Sequence, residues 1–286
     1  MEVLLGSIDP VQFRNNTVAP TDPAGLSIRQ QFEGVSVMAY EALTVCLPPT
    51  DVQEVRAAVT RAMAPFDRMS EDVPWEQAEW DVWSLGTGRA SFAVRPGAES
   101  DPQLIRIVEP PSPSARVPLP PSRCDGGPRR LLDLDTKRDA VAGQAHAEWR
   151  VWNDFARAFP PGRPLHELRW EYHSVHGPGP DDRFRGMYEQ QDVIRAISTN
   201  PEVAALVVGK GDPIRWFAEP EDLYVRRLSS EVNPSDALLT LDGRWLDIAS
   251  DMFDEDTDGS AYFAYADDYL RRVPDDCFLV RVRFHN

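Results

Sequence analysis

Lysine is almost absent from this chain. Of its 30 basic residues only Lys137 and Lys210 are lysines, and 46 acidic residues leave a net charge of −16 over 286 residues. A chain so poor in positive charge lacks the cationic excess that phosphate backbones and anionic bilayers require, so neither nucleic acid nor membrane is expected as a partner. Cysteine is scarce too. Cys46, Cys124 and Cys277 are odd in number and widely spaced, which spells neither a disulfide framework nor a CxxC metal site and points to a reducing cytoplasm. No apolar run approaches the roughly 18 residues of a membrane-spanning helix, and residues 1–5 are too short and too acidic for a signal peptide. Signatures of nucleophilic and phosphate chemistry are missing as well. There is no GxSxG, no cysteine has a local histidine, and Lys210 lacks the Walker spacing and a following Ser or Thr.

Proline, in contrast, is plentiful. Seven of the twenty residues from 109 to 128 are proline. Because proline fixes φ and removes a donor, this stretch is expected to run extended over the surface as a linker. The chain therefore divides into residues 1–108, mainly β with one helix, a linker at 109–130, and residues 131–286. In the first part residues 40–47 alternate as a strand does. Val52, Val55, Val59, Ala62 and Phe66 then recur at helical spacing behind a Thr50–Gln53 capping box. Residues 86–89 lie between two strand-like runs as a hairpin turn would.

Past the linker, Val141, Ala145, Trp149, Trp152, Ala156 and Phe159 share one face of a long helix capped by Asp135 or Thr136. Shorter helical segments follow at 187–198, 201–208 and 220–228. The end reads as ββαβ. Two strands flank Asp242-Gly243, a pair that favours a type I′ turn, then a helix spans 260–273 and a strand 277–284. That strand places Phe278, Val280, Val282 and Phe284 on one face, with Arg281 and Arg283 on the other. The sum is an α+β fold: a small antiparallel sheet with covering helices, a helical middle region and a ββαβ ending whose last strand joins the N-terminal sheet.

Three segments together resemble an uncharacterised family of hypothetical proteins from actinobacteria and actinobacteriophages. They are Trp80-Asp81-Val82-Trp83-Ser84-Leu85-Gly86 with Gly88-Arg89, Cys124-Asp125-Gly126-Gly127-Pro128 with Leu132-Asp133-Leu134, and Leu238-Leu239-Thr240-Leu241-Asp242-Gly243-Arg244-Trp245. Thr87 departs from the family pattern where a second glycine is usual, and Ala90 where an aromatic is usual. The resemblance implies one continuous architecture from about residue 39 onward and brings no activity with it.

Two constellations could carry chemistry. Asp254, Asp256 and Asp258 with Gly259 match the first half of a calcium loop, in which carboxylates surround a hard cation and glycine makes the turn; calcium is the cofactor this would imply. The twelfth position is Tyr265 instead of glutamate, leaving Asp247 or Asp251 to complete a site. The plainer reading is an acidic loop favoured at a helix N-terminus. His166, His173 and His176, with Glu167 and Glu171, supply imidazole and carboxylate ligands of the zinc type. They miss HExxH because Trp170 holds the second histidine's place, and the plainer reading is a surface cluster without metal.

Charge completes the expectation. From Glu231 to the end there are 13 acidic and 5 basic residues, so a net −8 sits in about a fifth of the chain. The leading expectation is a cytoplasmic, non-catalytic interaction or regulatory protein whose acidic C-terminal face meets a basic protein partner. The competing one is a metal-assisted hydrolase using the aspartate loop or the histidine cluster to activate water.

Overall fold

A computed structural model describes residues 40–86, 90–107, 118–177, 183–253 and 259–286. The chain enters on strand β1 (Glu41–Leu47), and Pro48 and Pro49 stop it. A 3-10 turn then leads into α1 (Val55–Met63). Its cap is Asp51, whose carboxylate accepts the Gln53 N–H at 2.8 Å, and not the expected Thr50, whose hydroxyl donates to the Pro48 carbonyl. Strands β2 (Val82–Leu85), β3 (Phe92–Ala93), β4 (Arg123–Cys124) and β5 (Gly126–Pro128) follow.

The middle region is helical: α2 (Thr136–Ala156), α3 (Leu165–His176), α4 (Arg183–Glu189), α5 (Asp192–Ile197), α6 (Pro201–Leu206), α7 (Pro213–Trp216) and α8 (Glu221–Ser230). The end comprises β6 (Ala237–Leu239), β7 (Trp245–Asp247), α9 (Ser260–Arg272) and β8 (Phe278–His285). The fold is α+β.

Among the described residues six strands make one mixed sheet in the order β2-β8-β1-β6-β7, with β5 also on β8. All pairings are antiparallel except β1 with β6. Among the described residues the first strand, β1, is thus flanked by the last, β8, on one side and by β6 on the other, so segments far apart in sequence build one sheet. Alternation assigns the two faces. Leu43, Val45, Val280, Val282 and Phe284 pack against Val55, Val59 and Met63 of α1. Cys46, Leu238 and Leu279 pack on the opposite face against Tyr262, Ala266 and Leu270 of α9. That second cover is why Arg281, on the face away from the phenylalanines, is buried, only 4% exposed.

The outer side of β8 is shared end to end. β5 pairs with its first residues and β2 with its last, and Arg281 lies at the seam. Its backbone is satisfied from both neighbours: Gly86 N donates to the Arg281 carbonyl at 2.8 Å, and Arg281 N donates to the Asp125 carbonyl at 2.7 Å. Two glycines make the approach possible. Gly86 has φ +77°, and a Cβ on Gly126 would stand 2.5 Å from the Leu279 carbonyl oxygen.

Two expectations are corrected here. The run 80–95 makes no hairpin, since β2 pairs with β8 while β3 pairs with β4. Residues 124–128, expected on the surface, are buried, because glycine lets this proline-flanked segment lie directly against β8. The Asp242-Gly243 pair does close the β6–β7 hairpin, though with a different turn. Gly243 alone has positive φ there, its N–H reaches the Thr240 carbonyl, and Thr240 N reaches the Arg244 carbonyl. That is a three-residue loop ending in a left-handed glycine, which spares Asp242 the positive φ that a type I′ turn demands.

A second core lies among the helices. Trp152 stacks on Phe217 at 5.4 Å, and Ala145, Val193, Val203 and Tyr224 close around them. The two cores are joined by a buried polar chain. Arg138 of α2 pairs with Asp267 of α9 at 2.8 Å, and Asn233 donates to Asp267 at 3.1 Å and to the Leu134 carbonyl at 2.7 Å. The Asn233 carbonyl accepts from Arg281 at 2.5 Å, and Arg281 donates also to the Thr44 hydroxyl.

Candidate functional site

Asp254, Asp256 and Asp258 lie outside the described residues. Gly259, which ends that loop, has φ +76° and caps α9. Asp247 is already engaged in a local turn, where its Oδ1 accepts from Ala249 N at 2.9 Å and from the Ser250 hydroxyl at 3.1 Å. Asp267, on the helix after the loop, is buried against Arg138. Tyr265, at the twelfth loop position, accepts from Arg244 at 2.9 Å.

The histidine cluster lies on α3, inside the middle region expected to be helical. At about 1.5 Å of rise per residue, His166 and His176 stand about 15 Å apart along the axis. The structure does not bring them together. His173 meets the Gly177 carbonyl at 3.1 Å, while His176 stacks on Tyr172 at 4.3 Å and meets its carbonyl. His166 lies in a shallow surface cleft with Arg163, Glu167, Trp170 and Glu171, where Arg163 pairs with Glu171 at 2.6 Å. Among the described residues no three His, Cys, Asp or Glu side chains come together as a metal site would require.

The thiols are equally unsuited to attack. All three cysteines are buried. Burial, and then the neighbouring Cys277, raises the Cys46 thiol far above its ordinary range, and burial pushes Cys124 up to about 11, so neither is a thiolate at neutral pH. His285 and His146 are each bonded at 2.8 Å to one carboxylate, Asp81 and Glu221.

Among the described residues the acidic C-terminal region holds a concave feature that the sequence pattern does not announce. The β6–β7 loop folds against α9 and leaves a cleft of about 380 Å³ lined by Leu241, Tyr265, Asp268, Tyr269, Arg272 and Pro274. Tyr265 and Tyr269, one turn apart, are stacked with ring centres 6.2 Å apart and planes within 17°. Both hydroxyls are engaged, Tyr265 by Arg244 and Tyr269 by Leu241 N at 2.8 Å. Ring surface is therefore what the pair offers a ligand. Burial raises Tyr269, keeping it neutral. At the rim Asp268 faces Arg226 at 3.5 Å and Arg272 at 3.7 Å, both long and exposed pairs that contribute little. Asp242 and Asp275 stand exposed close by in sequence. The signal for this cleft was a Tyr-x-x-x-Tyr step on the predicted last helix; the hairpin that completes it is a long-range partner.

No family model, curated protein or solved structure matches the chain. Among the described residues no helix is long and apolar enough to cross a membrane.

Proposed function

We propose that the protein is a non-catalytic interaction or regulatory protein of the cytoplasm, and that it takes a basic segment of a partner protein at the Tyr265–Tyr269 cleft. The observation that carries this reading is the pair of stacked tyrosine rings, hydroxyls occupied, beside Asp268 in the most acidic part of the chain. An arginine or lysine entering the cleft meets a ring face, worth about 0.5–2 kcal/mol depending on desolvation. It also meets a carboxylate whose present partners are too distant for strong bonds. The surrounding negative charge steers a cationic segment toward the cleft and makes association sensitive to salt.

The test is calorimetric titration of the full chain with an arginine-rich peptide and with its glutamate-substituted counterpart, at low and at moderate salt. Binding of the basic peptide alone, weakened by salt and lost in Tyr265→Ala and in Asp268→Asn, is the expected result. Binding that is indifferent to salt, or unchanged in both variants, would refute the reading.

A further inference from the structure

Two arginines of the chain already crowd Asp268, the carboxylate of the Tyr265–Tyr269 cleft. Arg272, one turn after it on the same face of α9, and Arg226, reaching across from α8, approach the same oxygen, Asp268 Oδ2, at 3.7 and 3.5 Å. Neither contact is a hydrogen bond, so the carboxylate is covered without being engaged. Of the two, Arg272 lines the cleft and Arg226 does not. The Arg272 side chain is 81% exposed, so it packs against little and loses little by moving.

Elsewhere on the same helix end the structure shows what a guanidinium gains there. Pro274 has no N–H, so the Leu270 carbonyl lacks the donor that a continuing helix would place at that position. Arg129 supplies it. Its Nε donates to the Leu270 carbonyl at 3.2 Å, one Nη donates to the Arg271 carbonyl, and the other pairs with Asp275. One planar fork thus serves two backbone acceptors and a carboxylate, an arrangement that the compact ammonium of lysine does not match.

Resting on the reading of the cleft given above, we propose that the side chain it takes is an arginine, which displaces Arg272 from Asp268. The cleft offers a guanidinium a flat seat and an acceptor in its plane. The face of the group lies on a tyrosine ring whose hydroxyl is already occupied, and its edge presents two N–H groups to the carboxylate, making the hydrogen bonds that Arg272 does not make. A lysine arrives as a point charge and gains neither the planar stacking nor the second parallel hydrogen bond. The negative end of the α9 dipole lies at this end of the cleft and favours both cations alike, so it does not select between them. Arg272 is therefore a built-in competitor. It shields Asp268 in the free protein, and binding exchanges one guanidinium for another.

The test is calorimetric titration of the full chain, at one salt concentration, with an arginine-rich peptide and with the same peptide carrying lysine at every arginine. The arginine peptide should bind at least about fivefold tighter. Arg272→Gln should tighten that binding by about two- to fivefold, because the competitor is gone. Arg157→Gln removes the same charge from an exposed site on α2 and should leave affinity unchanged, which separates displacement from a general gain in negative charge. Both side chains are exposed, so neither variant should move circular dichroism or Tm. Equal affinity for the two peptides, an Arg272→Gln variant that binds no tighter, or the same tightening in Arg157→Gln would overturn the proposal and leave the basic-segment reading standing. Binding of neither peptide would overturn both.

Discussion

In the sheet half, Arg106, Arg123, Arg129 and Arg281 direct their guanidinium donors at backbone carbonyls. Arg106 reaches the Glu99 and Pro121 carbonyls at 2.9 and 2.7 Å, Arg123 that of Ser91, Arg129 those of Leu270 and Arg271, and Arg281 that of Asn233. In the helical half, Arg150, Arg157 and Arg163 pair with carboxylates on exposed helix faces. The contrast follows from backbone accounting. A helix interior satisfies its own carbonyls, so these arginines are left with surface pairs, worth about 0–1 kcal/mol, whereas Arg138, on α2, is used in the buried pair with Asp267. The short strands, the irregular segments and the last turn of α9 leave carbonyls that no ladder reaches, and five donors in a planar fork satisfy several at once where one ammonium could not. A bias toward arginine that codon usage would produce everywhere is put to this backbone use in the sheet half.

The sharpest way to break that contrast is Arg281→Ala. It removes a buried side chain and leaves the Asn233 carbonyl and the Thr44 hydroxyl without that donor, so about 3–5 kcal/mol of stability should disappear in urea unfolding. Burial, opposed by Tyr262 and Asp236, holds this guanidinium down to about 10, still charged at neutral pH. Arg157→Ala, the helical counterpart, should change stability by less than about 0.5 kcal/mol. Equal losses would show that the two arginine populations are not different in kind.

Next in size is Gly126→Ala. Its new methyl meets the Leu279 carbonyl oxygen at 2.5 Å and Val280 Cα at 3.0 Å, both backbone, so β5 must move off β8 at a cost of about 1–3 kcal/mol. Gly143→Ala on α2 meets nothing within 4 Å and should stabilise by about 0.5–1 kcal/mol in the same assay. A third substitution tests locality. Asp212→Ala removes the α7 cap and orphans Leu165 N and the Tyr188 hydroxyl, which should cost about 1–2 kcal/mol. Hydrogen exchange should accelerate in α3 and α4 while β1 and β8 keep their protection.

How much of this was legible depended on whether contacts were local. β1, α1, α2, α9 and β8 announce themselves by period, and the Asp242-Gly243 hairpin by turn chemistry. What hid were features made by partners distant in sequence. Residues 124–128 read as linker because glycine and proline carry no periodic signal, yet their use is close approach to a strand 150 residues later. α3 falls in the region expected to be helical but has no bounds of its own in the sequence pattern, because its inward residues, Leu165, Leu168 and Tyr172, are few among charged and histidine residues. The spacing of three and four after Pro164 was the available signal. The buried arginine could not be foreseen from its strand, since alternation gives the face and not what covers it.

The smallest expected effect compares two matched surface pairs, one in each half. The hydrogen bond from His285 is the main reason the Asp81 carboxyl is held below its usual range, and the bond from His146, with Arg150, does the same for Glu221; burial opposes both. A lowered carboxylate contributes stability that is fully present above its unfolded pKa of about 4 and is lost as pH falls through the folded value. Both pairs should therefore steepen the acid limb of stability below about pH 4, modestly because both are solvent-screened. They differ in what they hold. Asp81–His285 ties the edge strand β2 to the end of β8, across 204 residues of sequence, whereas His146–Glu221 joins two helices already fixed by Trp152 and Tyr224. Asp81→Asn should flatten the acid limb and speed exchange at the β2 amides, while Glu221→Gln flattens it without loosening α2 or α8. If exchange instead rises around Glu221 and stays constant along β2, the sheet edge is held by Trp83 and its neighbours and not by this pair.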